Sequence, residues 1–419
     1  MAAVIELDLG DSHADITDHD VYTEGVPHAT FLRLRSESPV SFTQEQDGRG
    51  FWSITRHDDV LYVSRHTELF SSAKGIRLED MDEEETEARR TIMEMDPPAH
   101  SRYRRLVSRP FSPRAVADYE SSVRQLAREV LEEVRGEDRF DFVSRVARQL
   151  PMRMLGTLLG LPEPDLDWLV DRGDALIGNT DADFTDFVVD QVDTSDYRLL
   201  PFRSPVAVEL FKYAEDAMAS RRAHPTDDVL TSLLQPTVDG DLLGDEQLKN
   251  FFTLMVAAGN DTTRYSMAAG MKALAERPQL LESLRADPRA IKVAVDEMLR
   301  WSSTTMHFRR TATEDVELRG ETIRAGDKVV VWYVSANFDA EQFDQPFHFE
   351  ETRTPNDHVA FGLHSPHLCL GAHLARLEMR VLFEELLPML DSVHVERTER
   401  LRSNFISGFK RLEVETAWR

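Results

Sequence analysis

The sequence of 419 residues contains a single cysteine, Cys369, and has far fewer basic than acidic residues, 49 against 75. One cysteine excludes an intramolecular disulfide and any zinc or iron–sulfur site that needs several thiolates. The net charge of −26 argues against nucleic acid or an anionic membrane as a partner, because both bind clustered cations. Taken alone, one cysteine is most often a small buried hydrophobic residue.

Long apolar runs are also missing. No stretch of about 18 apolar residues occurs, so we expect no membrane-spanning helix. The first 15 residues lack the basic segment and apolar core of a signal peptide, and we expect a cytoplasmic protein. A composition of 41% hydrophobic and 30% charged residues is ordinary for a globular protein, and the chain is long enough for a large core.

Helical spacing of apolar residues dominates the chain, and the candidate strands are short and scattered. This pattern excludes an alternating βαβ fold. The longest predicted helix covers residues 245–277 and would extend about 50 Å at 1.5 Å per residue. No Pro/Gly/Ser-rich linker divides the chain. We therefore predict one mainly α-helical domain over residues 1–419, with residues 1–18 as a loosely ordered N-terminal arm.

The remaining elements follow from the same patterns. Further helices are predicted at residues 20–36, 58–66, within 116–160, and at 288–301. Strands are predicted at residues 39–42, 51–55, 316–323, 328–332, 393–395 and 411–416. The acidic, weakly periodic residues 75–87 are predicted to form a surface loop with one short helix at most.

Cys369 lies immediately before a predicted helix with a regular apolar stripe, formed by Leu370, Leu374, Leu377 and Val381. The N–H groups and the positive dipole end of a helix N-terminus favour a thiolate, which is the form that binds iron. Gly371 would let a flat ligand approach the backbone, and Phe361 could cover the sulfur. These neighbours favour Cys369 as a metal ligand.

Three other stretches carry chemical signals. Within the long helix, Gly259 is costly by about 1 kcal/mol, and Thr262 can bond back to the carbonyl four residues earlier. A local opening there would accommodate dioxygen and water beside Asp261 and Thr262; the alternative is a packing glycine with solvent-facing side chains. Glu297 and Arg300 can pair at i and i+3. His100 and Arg104 lie one helical turn apart, and alone they would form a solvated basic face.

Residues 361–376 resemble the cysteine signature of the cytochrome P450 family, the haem-thiolate monooxygenases. The matching residues are Phe361, Gly362, His367, Cys369 and Gly371. Two features depart from the usual pattern. Phe361 lies one residue further from Cys369 than is common, and Ser365-Pro366 replaces the expected Gly-Ala pair.

The other stretches resemble further motifs of this family. Residues 258–262 resemble its oxygen-activation motif, which implies that Ala258 lies beside the haem and that Asp261 and Thr262 are catalytic groups that guide protons. Glu297 and Arg300, with Arg353 downstream, resemble its structural ion network.

The resemblance also implies contacts to the haem propionates, from His100, Arg104, Arg310 and His367. Arg309 competes with Arg310 for this role, and the spacing to Asp315 favours Arg310. The implied walls of the substrate pocket are Leu254, Ala257, Met306, Phe308, Phe405 and Ile406, with parts of residues 75–95 and 181–205.

The resemblance implies a single large triangular P450 fold, with the long helix crossing a haem b and small peripheral β-sheets. It implies hydroxylation of a C–H bond in a lipophilic small molecule, such as a sterol, terpenoid or fatty-acid-like compound, with dioxygen. Two electrons would come from a ferredoxin and its NAD(P)H-dependent reductase, because no flavin or iron–sulfur motif is present. The implied docking residues for the ferredoxin are Arg102, Arg105, Arg109 and Arg380.

Two alternatives remain open at this point. One is a haem-thiolate enzyme without monooxygenation, such as a peroxygenase, isomerase or dehydratase. The other is a non-enzymatic haem carrier or gas sensor. The pair Asp261-Thr262 argues against both, and turnover supported by peroxide without a ferredoxin would favour the first.

Overall fold

The computed structural model of the protein describes residues 9–45 and 48–419. Within this part of the chain the architecture is mainly α-helical, as predicted. The α-helices are α1 (Val21–Glu24), α2 (His28–Glu37), α3 (His57–Arg65), α4 (Glu83–Ala88), α5 (Ala99–Ser108), α6 (Pro113–Asp118), α7 (Glu120–Val134), α8 (Gln149–Leu159), α9 (Leu166–Ile177), α10 (Val206–Ala223), α11 (Val229–Leu233), α12 (Asp245–Glu276), α13 (Pro278–Ala286), α14 (Ile291–Ser302), α15 (Tyr333–Ala336) and α16 (Ala372–Leu386).

The strands form three small sheets at the periphery. In chain order they are β1 (Val40–Thr43), β2 (Phe51–Ile54), β3 (Phe70–Ser71), β4 (Arg139–Asp141), β5 (His307–Ala312), β6 (Val316–Leu318), β7 (Glu321–Ile323), β8 (Lys328–Trp332), β9 (Leu390–Arg400) and β10 (Phe409–Trp418). The largest sheet has the order β1-β2-β8-β5-β3, the second is β4-β10-β9, and β6-β7 is a separate hairpin. Only β2 and β8 pair in parallel among these described strands.

Helix α12 is the centre of the fold and has 32 residues, close to the predicted length. Acidic residues Asp245 and Glu246 occupy its first turn, where negative charge stabilises the positive dipole end. Most of its side chains beyond the first turns are buried, and it packs against α8, α9, α10, α14 and α16. A helix that is buried along most of its length must cross the protein rather than lie on its surface.

Helix α16 begins directly after the cysteine loop. Leu374, Leu377 and Val381 of the predicted apolar stripe are buried, and the helix packs against α7 and α14. This packing fixes the N-terminus of α16, and therefore the loop that precedes it.

Several predicted elements are divided in the structure. The helix expected at 20–36 is two helices, α1 and α2, separated at Val26-Pro27 because proline has no N–H to donate. The helical region 116–160 is interrupted by β4, which pairs with β10 from the far end of the chain. Residues 316–323 form the hairpin β6-β7, and β5 was not predicted.

Two segments are more closely packed than their composition indicates. Ile16 is buried, and its carbonyl accepts a hydrogen bond of 2.9 Å from the Tyr22 hydroxyl. The described part of the predicted N-terminal arm therefore packs on the body, while residues 1–8 lie outside the described residues. In the loop predicted at 75–87, Gly75 and Ile76 are buried, so its first part faces inward and not toward solvent.

Among residues 9–45 and 48–419, every helix is too short or too polar to cross a bilayer.

Candidate active site

A cavity of about 240 Å³ lies between the middle of α12 and the loop before α16. Ala258 and Thr262 of α12 line one wall, and Phe361, Cys369 and Gly371 line the opposite wall. Two stretches more than a hundred residues apart therefore face each other, as the motif interpretation requires.

Cys369 lies deep in the protein, with its side chain exposed to the cavity. Its backbone N–H donates to the carbonyl of Phe361 at 2.9 Å, which closes the loop. Burial raises the pKa of the thiol, whereas the N–H groups of Gly371 and Ala372 and the guanidinium of Arg104 lower it. The helix N-terminus thus supplies the donors to sulfur that the sequence predicted.

The unusual pair Ser365-Pro366 is part of a tight turn. The Ser365 hydroxyl accepts from the backbone N–H of His367 at 3.1 Å, and its carbonyl accepts from Leu368 at 3.0 Å. Its own N–H donates to the carbonyl of Gly362 at 3.2 Å. Gly362 has φ of 72°, a left-handed conformation that favours glycine. The Ser365 side chain therefore stabilises this bend through its own hydrogen bond.

On the cavity wall formed by α12, the Thr262 hydroxyl is held by a hydrogen bond within its own helix. The Thr262 hydroxyl donates to the carbonyl of Ala258 at 3.3 Å, so its lone pairs are left for a group in the cavity. Ala258 is exposed to the cavity, although Ala257 before it is buried. A Cβ on Gly259 would come within 2.9 Å of the Leu155 side chain, so this glycine also has a packing role.

Asp261 lies behind this wall and does not line the cavity. Its Oδ1 is 3.0 Å from Nη2 of Arg264, and Nη1 of Arg264 is 2.8 Å from Asp174 on α9. Burial, together with the charge of Asp174, raises the pKa of Asp261 well above its usual value, while Arg264 opposes this shift. The structure thus brings Thr262, but not Asp261, to the cavity wall, and Asp261 is buried rather than solvent-facing.

Four nitrogen-bearing side chains, His100, Arg104, Arg310 and His367, share one part of the cavity lining. The two imidazole rings are 4.2 Å apart between centroids, and Arg104 also donates to the carbonyl of Leu368. In the described part of the chain, none of the four forms an ion pair with a carboxylate. Nδ1 of His100 and Nε of Arg310 are buried without a hydrogen-bond partner.

These four side chains, which have no carboxylate partner among the described residues, fit a ligand that carries two carboxylates, as haem does. Burial lowers the pKa of His100 to about 4 and that of His367 to about 2. Both rings are therefore neutral donors at neutral pH, and the positive charge comes from Arg104 and Arg310. Apart from its neighbours in the chain, a Cβ on Gly371 would meet no protein atom within 4 Å, which leaves room for a flat ring system.

Arg309 and Arg310 are adjacent residues of β5, and their side chains have different partners. Arg309 has Nη1 at 3.5 Å from Asp80 Oδ1 and donates to the carbonyl of Glu79 at 2.6 Å. Arg310 faces the cavity instead, and among the described residues its guanidinium donates only to the carbonyl of Arg309, at 2.7 Å. The alternation of side chains along a strand favours Arg310 for the anion contact.

A buried ion network supports the cysteine loop from behind. Glu297 receives two bonds from Arg300, at 2.7 and 2.8 Å, and one from Arg353 at 3.1 Å. Arg300 also donates to the carbonyl of Asn337 at 2.7 Å. The Asn337 side chain accepts from the N–H of Val359 at 2.7 Å, just before the loop. The three residues predicted to form the network are therefore together.

The chain also resembles known proteins over nearly its whole length. The sequence model of the family "Cytochrome P450" matches residues 22–406. The chain belongs to the cytochrome P450 family. A methyl-branched lipid omega-hydroxylase of Mycobacterium tuberculosis is 36% identical, covering 98% of this chain and 95% of its own. A steroid C26-monooxygenase of the same organism is 35% identical, covering 96% and 92%.

Solved structures agree with the fold. A cytochrome P450 of Mycobacterium marinum in complex with pseudoionone superposes with a TM-score of 0.84 at 37% identity, covering 92% of this chain and 94% of that one. The protein is therefore a P450 enzyme of the monooxygenase type, and haem is the cofactor that the family uses.

This P450 has a second cluster of charged side chains beside the cysteine loop, which the sequence analysis did not predict. Asp296, adjacent to Glu297 on α14, receives a bond of 2.7 Å from Arg376 and lies 3.2 Å from Nε2 of His358. The Arg376 guanidinium lies 4.7 Å from the ring centroid of Phe361. Through their basic partners, the adjacent residues Asp296 and Glu297 thus stabilise the segments before and after the cysteine loop. The only signal in the sequence was the arginine of the signature helix.

A second cavity of about 130 Å³ adjoins the first and shares Ala258, Thr262 and Leu254 with it. Leu254 and Phe308 line both cavities, and Ala257, Phe405 and Ile406 line the second. Five of the six predicted pocket residues therefore face these cavities.

Met306 is the exception, and its predicted place in the pocket is wrong. Its side chain is fully buried in a separate core with Phe31, Val330 and Trp332. The backbone explains this orientation, because its N–H donates to Phe405 at 2.9 Å and its carbonyl accepts from Val334 at 3.1 Å. These bonds turn the side chain away from the cavity.

Proposed function

We propose that this P450 holds haem b through Cys369 and hydroxylates a C–H bond of a lipid, with electrons delivered by a ferredoxin. One observation carries the proposal. Cys369 and Thr262 face each other across a single cavity that also presents four donor side chains without a carboxylate partner among the described residues. The relatives named for methyl-branched lipids and steroids support a lipophilic substrate.

Each residue would have a defined task in this reaction. Bound haem supplies dioxygen activation and oxygen insertion: one oxygen atom enters the substrate, and the other leaves as water with two electrons and two protons. Cys369 would hold the haem iron as a thiolate, and its helix N-terminus would stabilise the negative charge. Arg104 and Arg310 would neutralise the propionates, with His100 and His367 as additional donors.

Thr262 and Asp261 would hold and deliver the protons that the reaction consumes. Because the Thr262 hydroxyl donates to the carbonyl of Ala258, its lone pairs can accept a hydrogen bond from a water molecule in the cavity. Asp261, with its raised pKa, shares Arg264 with Asp174 and would act behind the wall as a proton reservoir. Delivery would require Asp261 to rotate from Arg264 toward Thr262.

Replacement of Thr262 by Ala is expected to separate electron use from product formation. NADH consumption should continue, while product per NADH falls by about tenfold, because proton placement contributes about that much or more. The measurement compares NADH consumed, peroxide released and product formed. Thr262→Ser keeps the hydroxyl and should remain coupled; full coupling in Thr262→Ala would refute the role of the hydroxyl.

The face that would receive the ferredoxin is smaller than the sequence indicates. Arg102 lies 3.4 Å from Asp239, and Arg380 bonds Glu120 at 2.6 Å, so these two charges are compensated. Arg105 and Arg109 are exposed, and the described residues provide neither with an ion pair. They belong to the end of α5, next to the cysteine loop that Arg104 contacts.

Isotopic oxygen distinguishes monooxygenation from its alternatives. With a bacterial ferredoxin, its reductase, NADH and ¹⁸O₂, we expect one labelled oxygen atom in the product of a lipid substrate. Label from H₂¹⁸O₂ without electron donors, and none from dioxygen, would instead indicate a peroxygenase. Conversion without any label would indicate an isomerase or dehydratase.

A further inference from the structure

Arg77 is a charged side chain in the second cavity that has no assigned role. It follows Ile76, whose carbonyl accepts from Arg309 of β5 at 2.8 Å, so this segment runs alongside the sheet. The Arg77 side chain lines the second cavity only, whereas Cys369 lines the first only. The wall between them is shared and includes Ala258 and Thr262.

Two aromatic rings hold the Arg77 guanidinium. Its central carbon is 4.9 Å from the ring centroid of Phe405 and 5.1 Å from that of Phe202. Such contacts use the flat faces of the guanidinium and leave the N–H groups at its edge available. In the part of the chain that the structure describes, none of these N–H groups makes a hydrogen bond or ion pair with the protein.

The other charged groups of this cavity are already engaged. Glu79 pairs with Arg89 and lies 3.6 Å from Nε of Arg203. Glu94 accepts from the backbone N–H of Thr91 at 3.0 Å and from its hydroxyl at 2.6 Å. Burial raises the pKa of Glu94, while the bonds from Thr91 and the charge of Arg89 oppose this shift. Arg77 is left as a cation without a bonded partner, lining an otherwise largely apolar cavity.

We propose that Arg77 binds the carboxylate of the substrate, and that the substrate class is a long aliphatic carboxylic acid. The inference rests on the proposed function, because it takes these cavities as the substrate site. A carboxylate accepts two parallel N–H bonds from the edge of a guanidinium. The alkyl chain would then extend along Leu254 and Phe308, which line both cavities, toward Thr262. Hydroxylation would fall on the part of the chain remote from the carboxylate.

Ligand binding to the ferric holoenzyme tests this directly, with the shift of the haem spin state as the readout. Three carboxylic acids, each compared with its methyl ester, distinguish aliphatic from steroid carboxylates. They are hexadecanoic acid, phytanic acid and lithocholic acid. In at least one of the first two pairs, the acid should bind about tenfold or more tightly than its ester. A preference confined to the lithocholic pair would overturn the aliphatic assignment.

Variants of Arg77 then test whether this residue causes the preference for the acid over the ester. Arg77→Gln should reduce the preference for the acid to less than about threefold and leave the dissociation constant of the ester unchanged. Arg77→Lys keeps a charge and should retain part of the preference. Lys74→Gln removes an exposed charge three residues away and should behave as the wild type.

Two results would overturn the proposal. One is that no acid binds more tightly than its ester in the wild type. The other is that Arg77→Gln weakens acid and ester equally, as expected if Arg77 only supports Phe202 and Phe405. The reduced carbon monoxide spectrum of each variant is recorded alongside. A wild type without the thiolate band would refute the proposed function, whereas a normal band with no acid preference would refute only this inference.

Discussion

Glu297→Gln is expected to lower the free energy of unfolding by about 3–5 kcal/mol, the range for breaking a buried charge pair by removing one partner. The Glu297 and Arg300 side chains have no exposed surface, and Arg353 is 9% exposed. A neutral amide cannot balance two guanidinium groups in this environment, and it replaces one acceptor oxygen by a donor. The loss is a large share of the roughly 5–15 kcal/mol that stabilises a typical protein.

The effect should reach the haem site because the network is connected to it. Arg300 holds the carbonyl of Asn337, and Asn337 holds the N–H of Val359, two residues before Phe361. Urea unfolding followed by circular dichroism, together with haem content per chain, measures both consequences. Glu282→Gln removes an exposed acid on α13 and should change neither quantity. Equal midpoints for the two variants would contradict the network's structural role.

Cys369→Ser is expected to abolish monooxygenase turnover while leaving the fold intact. A serine hydroxyl does not ionise near neutral pH, so the negatively charged sulfur ligand is lost. The change in volume is small, and the backbone bond from residue 369 to Phe361 does not depend on the side chain. Turnover with ferredoxin, reductase and NADH should fall to the background without enzyme.

A matched comparison separates the ligand from its surroundings. Ser365→Ala alters the turn of the same loop without touching the sulfur, and we expect it to retain turnover. If Cys369→Ser kept a substantial fraction of wild-type turnover, the sulfur would not be the ligand that the reaction requires.

Predictions from the sequence succeeded where the signal is local. The cysteine loop, the long helix and the pair Glu297–Arg300 each lie within a short stretch, and residue types at fixed spacing define them. Helix α12 ends at Glu276, within one residue of its predicted end. The family resemblance then linked these stretches to one site.

The failures involve contacts between distant parts of the chain. Asp174 on α9 shares Arg264 with Asp261, and no local pattern connects residues 174 and 264. Met306 was assigned to the pocket by position, but backbone bonds to residues 405 and 334 decide its orientation. Arg77 was assigned to a surface loop by its acidic neighbours, whereas the sheet draws that segment inward. Composition cannot show such long-range pairing.

The reduced carbon monoxide difference spectrum of the wild-type holoenzyme tests the central claim, which is that Cys369 binds haem iron as a thiolate. The account predicts the strongly red-shifted Soret band for which the P450 family is named, and its loss in Cys369→Ser. A band at the position typical of histidine-ligated haem in the wild type, or a red-shifted band that survives in Cys369→Ser, would contradict it.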